Sequence, residues 1–223
     1  TYFLVWTTTP WTLLSNVALA VHPDLEYILV EQKGAKYILA KPLQMLLEGS
    51  YKVLETFKGR ELEGKEYEPL YSYVKPDRKA WYVVLGDFVT ETEGTGVVHI
   101  APAFGPEDFE VAKKYKLPVI QLVDDTGHVK DEAESFKGLY IKEADEKIIE
   151  NLRSRGLLYK AGTVVHPYPH CWRCDTPLLY YAIDTWYIKM SVLREELLEN
   201  NEKINWYPSY FKKGRFGKFI EEA

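Results

Sequence analysis

The apolar residues of this chain come mostly in short runs separated by polar turns. Tyr2-Phe3-Leu4-Val5-Trp6, Val17-Ala18-Leu19-Ala20-Val21 and Tyr27-Ile28-Leu29-Val30-Glu31 are rich in aromatic and β-branched side chains, the pattern of buried strands. His22-Pro23-Asp24 makes a turn between the last two, and residues 36–40 pair back across Lys33-Gly34-Ala35. Residues 51–57 and 81–85 read as further strands, 88–90 as the start of a short one, and 97–100 as another. The polar stretch 59–79, with Pro69 and Pro76, reads as loops and short strands. Helical spacing is rarer. A short helix follows Pro42, with Leu43, Leu46 and Leu47 on one face. A second runs over 106–116, opened by Pro106, Glu107 and Asp108. A third covers 143–155, with Ala144, Ile148, Ile149 and Leu152 on one face and Gly156 after its end. Residues 124–127 read as a loop.

Many short strands with few helices predict an α+β, β-rich domain, most simply a barrel-like sheet with peripheral helices. Beyond Gly162 the character changes to a run rich in proline, aromatics and cysteine. Residues 178–190 read as two strands, 192–200 as a polar amphipathic helix, and the end is basic, with Lys212, Lys213, Arg215 and Lys218. The expected division is a main domain over 1–162, return strands over 163–190 and a trailing segment over 191–223.

Composition narrows the class. With 223 residues, 46% of them hydrophobic, the chain can bury a substantial core. No apolar run approaches the ~20 residues of a membrane helix. Thr1-Tyr2-Phe3-Leu4-Val5 has neither a basic leader nor a cleavage site, so no signal peptide is expected, and the chain reads as a piece excised from a longer protein. A net charge of −5 argues against a protein that coats RNA along its length, but not against one that grips a strand's end. Two cysteines make no secreted disulfide scaffold, so the cytoplasm and a monomer are expected.

Two polar strings interrupt the pattern. In Trp6-Thr7-Thr8-Thr9-Pro10-Trp11-Thr12-Leu13-Leu14-Ser15-Asn16 a strand delivers three consecutive hydroxyls and stops at Pro10, which biases Thr9 toward an extended or turning backbone. Side chains alternate across a strand, so some of these hydroxyls must line a surface, a cleft or a hydrogen-bond network. By composition alone, an ordinary Thr-rich strand end fits as well. The second string is Gly94-Thr95-Gly96-Val97-Val98-His99-Ile100-Ala101-Pro102-Ala103-Phe104-Gly105-Pro106-Glu107-Asp108. Read alone, His99 is a satisfied core or surface histidine and Asp108 a helix-start carboxylate.

Together the two strings resemble the editing domain that isoleucyl-tRNA synthetases carry inserted in their catalytic core, and the resemblance runs along nearly the whole chain. The T-T-T-P-W-T string separates that family from its valyl and leucyl relatives, which have Arg where this chain has Thr9. The resemblance implies hydrolysis of valine misattached to tRNA(Ile), with valyl-adenylate as a further substrate and the rest of the parent isoleucine–tRNA ligase as a partner. It assigns Asp108 to the α-ammonium of the amino acid. It makes the His99 ring the wall that admits valine and excludes isoleucine, since overlap rejects an extra methylene more steeply than a filled hole attracts it. Thr7, Thr8, Thr9, Thr12 and Asn16 would contact the terminal adenosine and the ester and help place the attacking water. Trp6 would pack beside them, and Ala101 and Phe104 would shape the pocket.

There is no G-x-S-x-G elbow, and neither cysteine has the context of a nucleophile, so a positioned water without a covalent intermediate is the expected chemistry. The general base is not identified by the residues; a ribose hydroxyl of the substrate is one candidate. No cofactor is expected for the hydrolysis. Two rival readings stay open: a non-catalytic RNA-binding module with a zinc ribbon, and a metal hydrolase using His99 and Asp108.

Cys171 and Cys174 form one CxxC, two thiolates where a structural zinc takes four ligands. His166 and His170 are candidates to complete a site within the chain. The resemblance implies instead half of a four-cysteine ribbon whose other pair lies outside this segment, with zinc bound only in the longer parent. Lys189-Met190-Ser191 imitates the K-M-S-K-S loop of class I synthetases, but Val192 and Leu193 follow, and it reads as a strand end. The H-I-G-H motif is absent as well, so amino-acid activation with ATP is not expected of this chain.

Overall fold

The computed structural model describes residues 1–165 and 167–222. The chain divides into two compact units, 1–182 and 183–223.

The first unit is built on two small sheets. Strands β1 (Tyr2–Phe3), β2 (Ala18–Val21), β3 (Glu26–Gln32), β4 (Ala35–Ala40), β5 (Lys52–Lys58), β6 (Tyr82–Leu85) and β7 (Val97–Ile100) are arranged as β1-β4-β3-β5 and β6-β2-β7. The β3–β4 hairpin turns through Lys33 and Gly34 at φ 50° and 80°, the left-handed pair that matches the twist of a two-residue hairpin. In the second sheet β2 lies between a parallel β6 and an antiparallel β7. Every residue of β2 is buried, as suits a central strand covered on both faces.

Alternation along these strands sorts the core. Ala18, Ala20, Val84 and Ile100 face a large cluster shared with α1 (Pro106–Tyr115) and α2 (Ile141–Ser154). Leu19, Val21, Val83 and Val97 face a second cluster shared with the first sheet, including Tyr27 and Ala40. The two sheets are tied across that layer. The fully buried Tyr27 donates its hydroxyl to the Gly96 carbonyl at 2.6 Å, and burial pushes that phenol up to about 12. Gly96 has φ +72°, and a Cβ there would stand 2.3 Å from that of Ala40, so only glycine fits.

The expected barrel is not closed, although the α+β class stands. The first strand pairs with β4 over only Tyr2 and Phe3, then crosses to a single bridge between Trp6 and Val98. Pro10 and the polar hydroxyl run stop it there, before a ladder can join the sheets. Short 3₁₀ turns cover Pro10–Ser15, Lys41–Leu46 and Gly59–Leu62; the second replaces the helix expected after Pro42. Residues 88–90 form no strand: Val89 donates to the Gly86 carbonyl in a turn. Helix α2 starts two residues before its expected position, with Ile141, Ala144, Ile148 and Leu152 buried.

Residues 178–189 also form no strands. Aromatic and apolar content suggests strands here, but the bonds go to loops: Ala182 donates to the Ala103 carbonyl, and the Tyr181 hydroxyl donates to that of Val123. The second unit is helical. Helix α3 (Met190–Lys203) begins at the position expected to end a strand, so Lys189-Met190-Ser191 is a helix start. Helices α4 (Tyr210–Lys213) and α5 (Arg215–Glu222) follow, neither expected from the sequence. Within this unit Asn201 is buried, donating to the Lys212 carbonyl and accepting from the Trp206 indole. Among the described residues no helix is long and apolar enough to cross a membrane.

Candidate active site: a threonine turn against a buried histidine

Pro10 stops the strand and starts a 3₁₀ turn, because its ring fixes φ and its missing N–H is not needed at a first position. The turn buries Trp11, Thr12, Leu13, Leu14 and Ser15. It thereby carries Thr12 inward and leaves Thr7 and Thr9 half-buried before it, with Thr8 exposed. On the facing strand β7, His99 stands opposite Leu19 and is 8% exposed.

The hydroxyls meet the imidazole. His99 Nε2 lies 3.3 Å from Thr7 Oγ1 and 3.1 Å from Thr12 Oγ1. Thr12 Oγ1 donates to the Thr9 carbonyl at 2.7 Å, so its one hydrogen is used. It must therefore accept from the ring, which makes His99 the Nε2–H tautomer. By the same count Thr9 Oγ1 donates to Thr12 Oγ1 at 3.1 Å, and Thr7 Oγ1 accepts the Thr9 N–H at 3.1 Å. His99 Nδ1 is then a bare acceptor, buried without a partner among the described residues. Burial lowers the imidazole pKa to about 4, so the ring is neutral at physiological pH.

Asp108 lies in the first turn of α1, where the positive helix end favours a carboxylate. Its Oδ2 accepts the Ala101 N–H at 2.8 Å, which folds the 101–105 loop back on the helix that follows. Among the described residues Oδ1 has no hydrogen bond. Burial raises the Asp108 pKa, opposed by the Ala101 bond and assisted by the neighbouring Glu107. Phe104, in that loop, meets the Trp11 ring edge-on at 4.7 Å. Trp6 is 43% exposed, and its backbone N–H donates to Val97. The ring of Trp6 covers Gly94, where a Cβ would come within 2.8 Å of it.

Asn16 is engaged wholly within the chain. Its amide donates to the Ala18 carbonyl at 2.8 Å and the Ile100 carbonyl at 3.5 Å, and its side-chain oxygen accepts the Tyr67 hydroxyl at 2.5 Å. The Asn16 carbonyl takes the Trp81 indole N–H at 3.1 Å. Asn16 thus ties the end of the threonine turn to β2 and β7.

Sequence reasoning passed over Tyr67, Trp81 and, above all, Asp145, whose Oδ1 accepts the Trp11 N–H at 2.8 Å. One signal for Asp145 was present: it falls four positions after Ile141 and three before Ile148, a carboxylate on the apolar face of an amphipathic helix.

Cys171 and Cys174 lie on a turn of their own. The Cys171 N–H donates to the Thr176 carbonyl and the Asp175 N–H to the Cys171 carbonyl, with Asp175 at φ 57°. Hydrogen bonds from Thr176 and Cys171 lower the Cys174 thiol pKa. Among the described residues no group of three or more His, Cys, Asp or Glu side chains is placed to hold a metal ion, and His166 lies outside those residues. Two thiolates are half of the four ligands that a structural zinc takes.

The two sheets and the helices packed on them have the fold of the synthetase editing domains. The chain is similar in structure to the P. falciparum cytosolic leucyl-tRNA synthetase editing domain, with a TM-score of 0.54 over 81% of this chain and 79% of that one at 13% identity. The P. knowlesi counterpart gives a TM-score of 0.51 over 81% and 83%, at 12% identity. A family model for class I tRNA synthetases (I, L, M and V) matches residues 3–223, and the chain belongs to that family. Within it, the chain is 56% identical over 222 residues to the isoleucine–tRNA ligase of Clostridium acetobutylicum, covering 100% of this chain and 21% of that protein. To that of Thermoplasma volcanium it is 49% identical over 223 residues, 100% and 22%. The chain thus spans about a fifth of the length of these relatives.

Proposed function

We propose that this chain hydrolyses the ester of valine misattached to tRNA(Ile), acting as the editing domain of an isoleucine–tRNA ligase, with valyl-adenylate as a second substrate. The observation that carries the reading is the clamped ring of His99, buried, neutral and held at Nε2 by hydroxyls of the threonine turn. Rejecting one methylene needs a wall that does not yield, and a ring fixed by two hydroxyls and a packed strand is such a wall. The similarity to isoleucine–tRNA ligases along the whole chain supports the choice of substrate.

In this mechanism Asp108 takes the α-ammonium on its free Oδ1 while Ala101 holds Oδ2. An arriving cation lowers the carboxyl pKa that burial has raised, so binding favours the charged form. Thr7, Thr8 and Thr9 hold the water and the terminal adenosine, Trp6 offers an exposed face beside them, and Phe104 and Ala101 bound the pocket. The water attacks the ester carbonyl carbon. The tetrahedral intermediate expels the ribose oxygen, which takes the proton that the water gives up. Asn16 acts from behind by fixing the turn. Cys171 and Cys174 would hold a structural zinc together with two ligands from elsewhere in a longer protein, and no step of the hydrolysis runs through it.

The test is to incubate the chain with valyl- and isoleucyl-tRNA(Ile), with and without chelator. Valine should be released faster than isoleucine, the chelator should change nothing, and Asp108→Ala should abolish release while the fold persists. RNA binding without deacylation, indifferent to Asp108→Ala, would instead define a binding module. Loss of activity with chelator would define a metal hydrolase.

A further inference from the structure

The turn that carries the hydroxyls begins without a cap of its own. Thr9 stands at its N-cap with φ −130° and ψ 79° and makes no side-chain capping bond, and Pro10 has no N–H. The next donor, the Trp11 N–H, is one that a helical turn cannot satisfy internally. It donates instead to Asp145 Oδ1 at 2.8 Å, from a residue 134 positions away on α2. Asp145 sits on the buried side of that helix, between Ile141 and Ile148. Its burial raises the carboxyl pKa to about 6, against the pull of the Trp11 N–H and Lys142. Trp11 is held at its other end by Phe104 in the loop that bonds to Asp108. One residue therefore links α2, the threonine turn and the Asp108 loop.

We propose that Asp145 is a positioning residue for the hydrolysis, an N-cap supplied from another element that seats the 3₁₀ turn so that Thr12, and Thr9 bonded to it, keep their places and Thr12 stays against His99. The inference rests on the editing reading above for its chemistry, and on the Trp11–Asp145 contact for its geometry. Asp145 touches no reacting atom. It acts through the backbone of Trp11, so its loss displaces the hydroxyls without removing any of them.

Three variants and three readouts test this: Asp145→Ala, Asp145→Asn and Asp145→Glu, with Trp11 amide hydrogen exchange, the ring-nitrogen NMR shifts of His99, and deacylation of valyl-tRNA(Ile) resolved into kcat and KM. In Asp145→Ala the Trp11 amide should exchange at least about tenfold faster, the His99 nitrogens should shift, and kcat should fall by about tenfold or more with KM little changed. Asp145→Asn keeps an acceptor oxygen and should stay within about threefold of the native rate, whereas Asp145→Glu keeps the charge but moves the oxygen and should lose rate like the alanine variant. Native kcat or native Trp11 exchange in Asp145→Ala overturns the proposal, and so does an asparagine variant as impaired as the alanine one. If Asp145→Ala does not fold, the asparagine and glutamate variants decide alone, and native kcat in the glutamate variant overturns it. If the native chain releases no valine, the editing reading fails, while the Trp11 exchange and His99 shifts still decide whether Asp145 seats the turn.

Discussion

The threonine turn and the cysteine turn are both polar motifs on short loops, yet they are held in opposite ways. The cysteine turn is stabilised by bonds among Cys171, Cys174, Asp175 and Thr176, none spanning more than five residues. The threonine turn depends on partners far away, with His99 87 residues from Thr12 and Asp145 134 residues from Trp11. A local turn can close before the chain has a core, and it presents its side chains to whatever lies outside. A turn held by distant partners exists only when the domain is folded, and it presents a finished arrangement. The first suits half a site and the second suits a site complete within the chain.

The largest test of this contrast is His99→Ala. It opens a cavity in the core and takes the ring donor from the hydroxyls of Thr7 and Thr12, so urea unfolding should report a loss of about 3 kcal/mol. The same variant should release isoleucine from tRNA(Ile) faster than the native chain does. Thr12→Val keeps the shape but removes a hydroxyl that bonds the Thr9 carbonyl, the Thr9 hydroxyl and the His99 Nε2–H, leaving the ring only Thr7 and the carbonyl only the Thr12 N–H. It should cost about 2 kcal/mol by the same measurement and lower the deacylation rate.

A smaller effect separates the buried groups by sign. His99 has its folded pKa lowered to about 4, so its contribution is present above pH about 6.5 and is lost as pH falls toward 4. Asp145, raised to about 6, works the other way: its contribution is present below its unfolded value and is lost as pH rises through 6. Asp108 is shifted in the same direction as Asp145. Unfolding free energy measured from pH about 4 to 6 should therefore fall more steeply with rising pH in His99→Gln, and less steeply or even rise in Asp145→Asn. Matching slopes in the two variants would break the assignment.

The smallest effect is expected at the cysteine turn. Cys171→Ser with Cys174→Ser should change the stability of this chain by no more than about 0.5 kcal/mol and leave deacylation unchanged. In the native chain Cys174, whose thiol pKa is lowered by Thr176, should react with a thiol reagent before Cys171 does.

How much of this was legible depended on where the cause lay. The β3–β4 hairpin could be read because its turn residues and its alternation lie side by side. The apolar face of α2 was equally plain, because helical spacing is a local property. The strands expected over 178–190 failed because apolar and aromatic content does not supply a partner edge. The closed barrel failed because the first strand meets Pro10 and its hydroxyl run before it can join the sheets. Thr7, Thr12 and His99 were picked out by resemblance and by residue type, but their spacing carried no hint that two hydroxyls converge on one ring nitrogen. Asp145 was visible only as a carboxylate on an apolar face, a clue that names no partner.

By itself, then, the order of residues determined the local elements: where most strands of the two sheets lie, that Pro10 ends the first strand, and which family the two strings resemble. Only the tertiary structure decided the tautomer of His99, the free oxygen of Asp108 and the cap that Asp145 provides. The first and the last depend on distances between residues about 90 to 130 positions apart, and the second on how the loop after β7 folds back onto α1; no local propensity encodes these, and only the packing of the two sheets and the helices sets them.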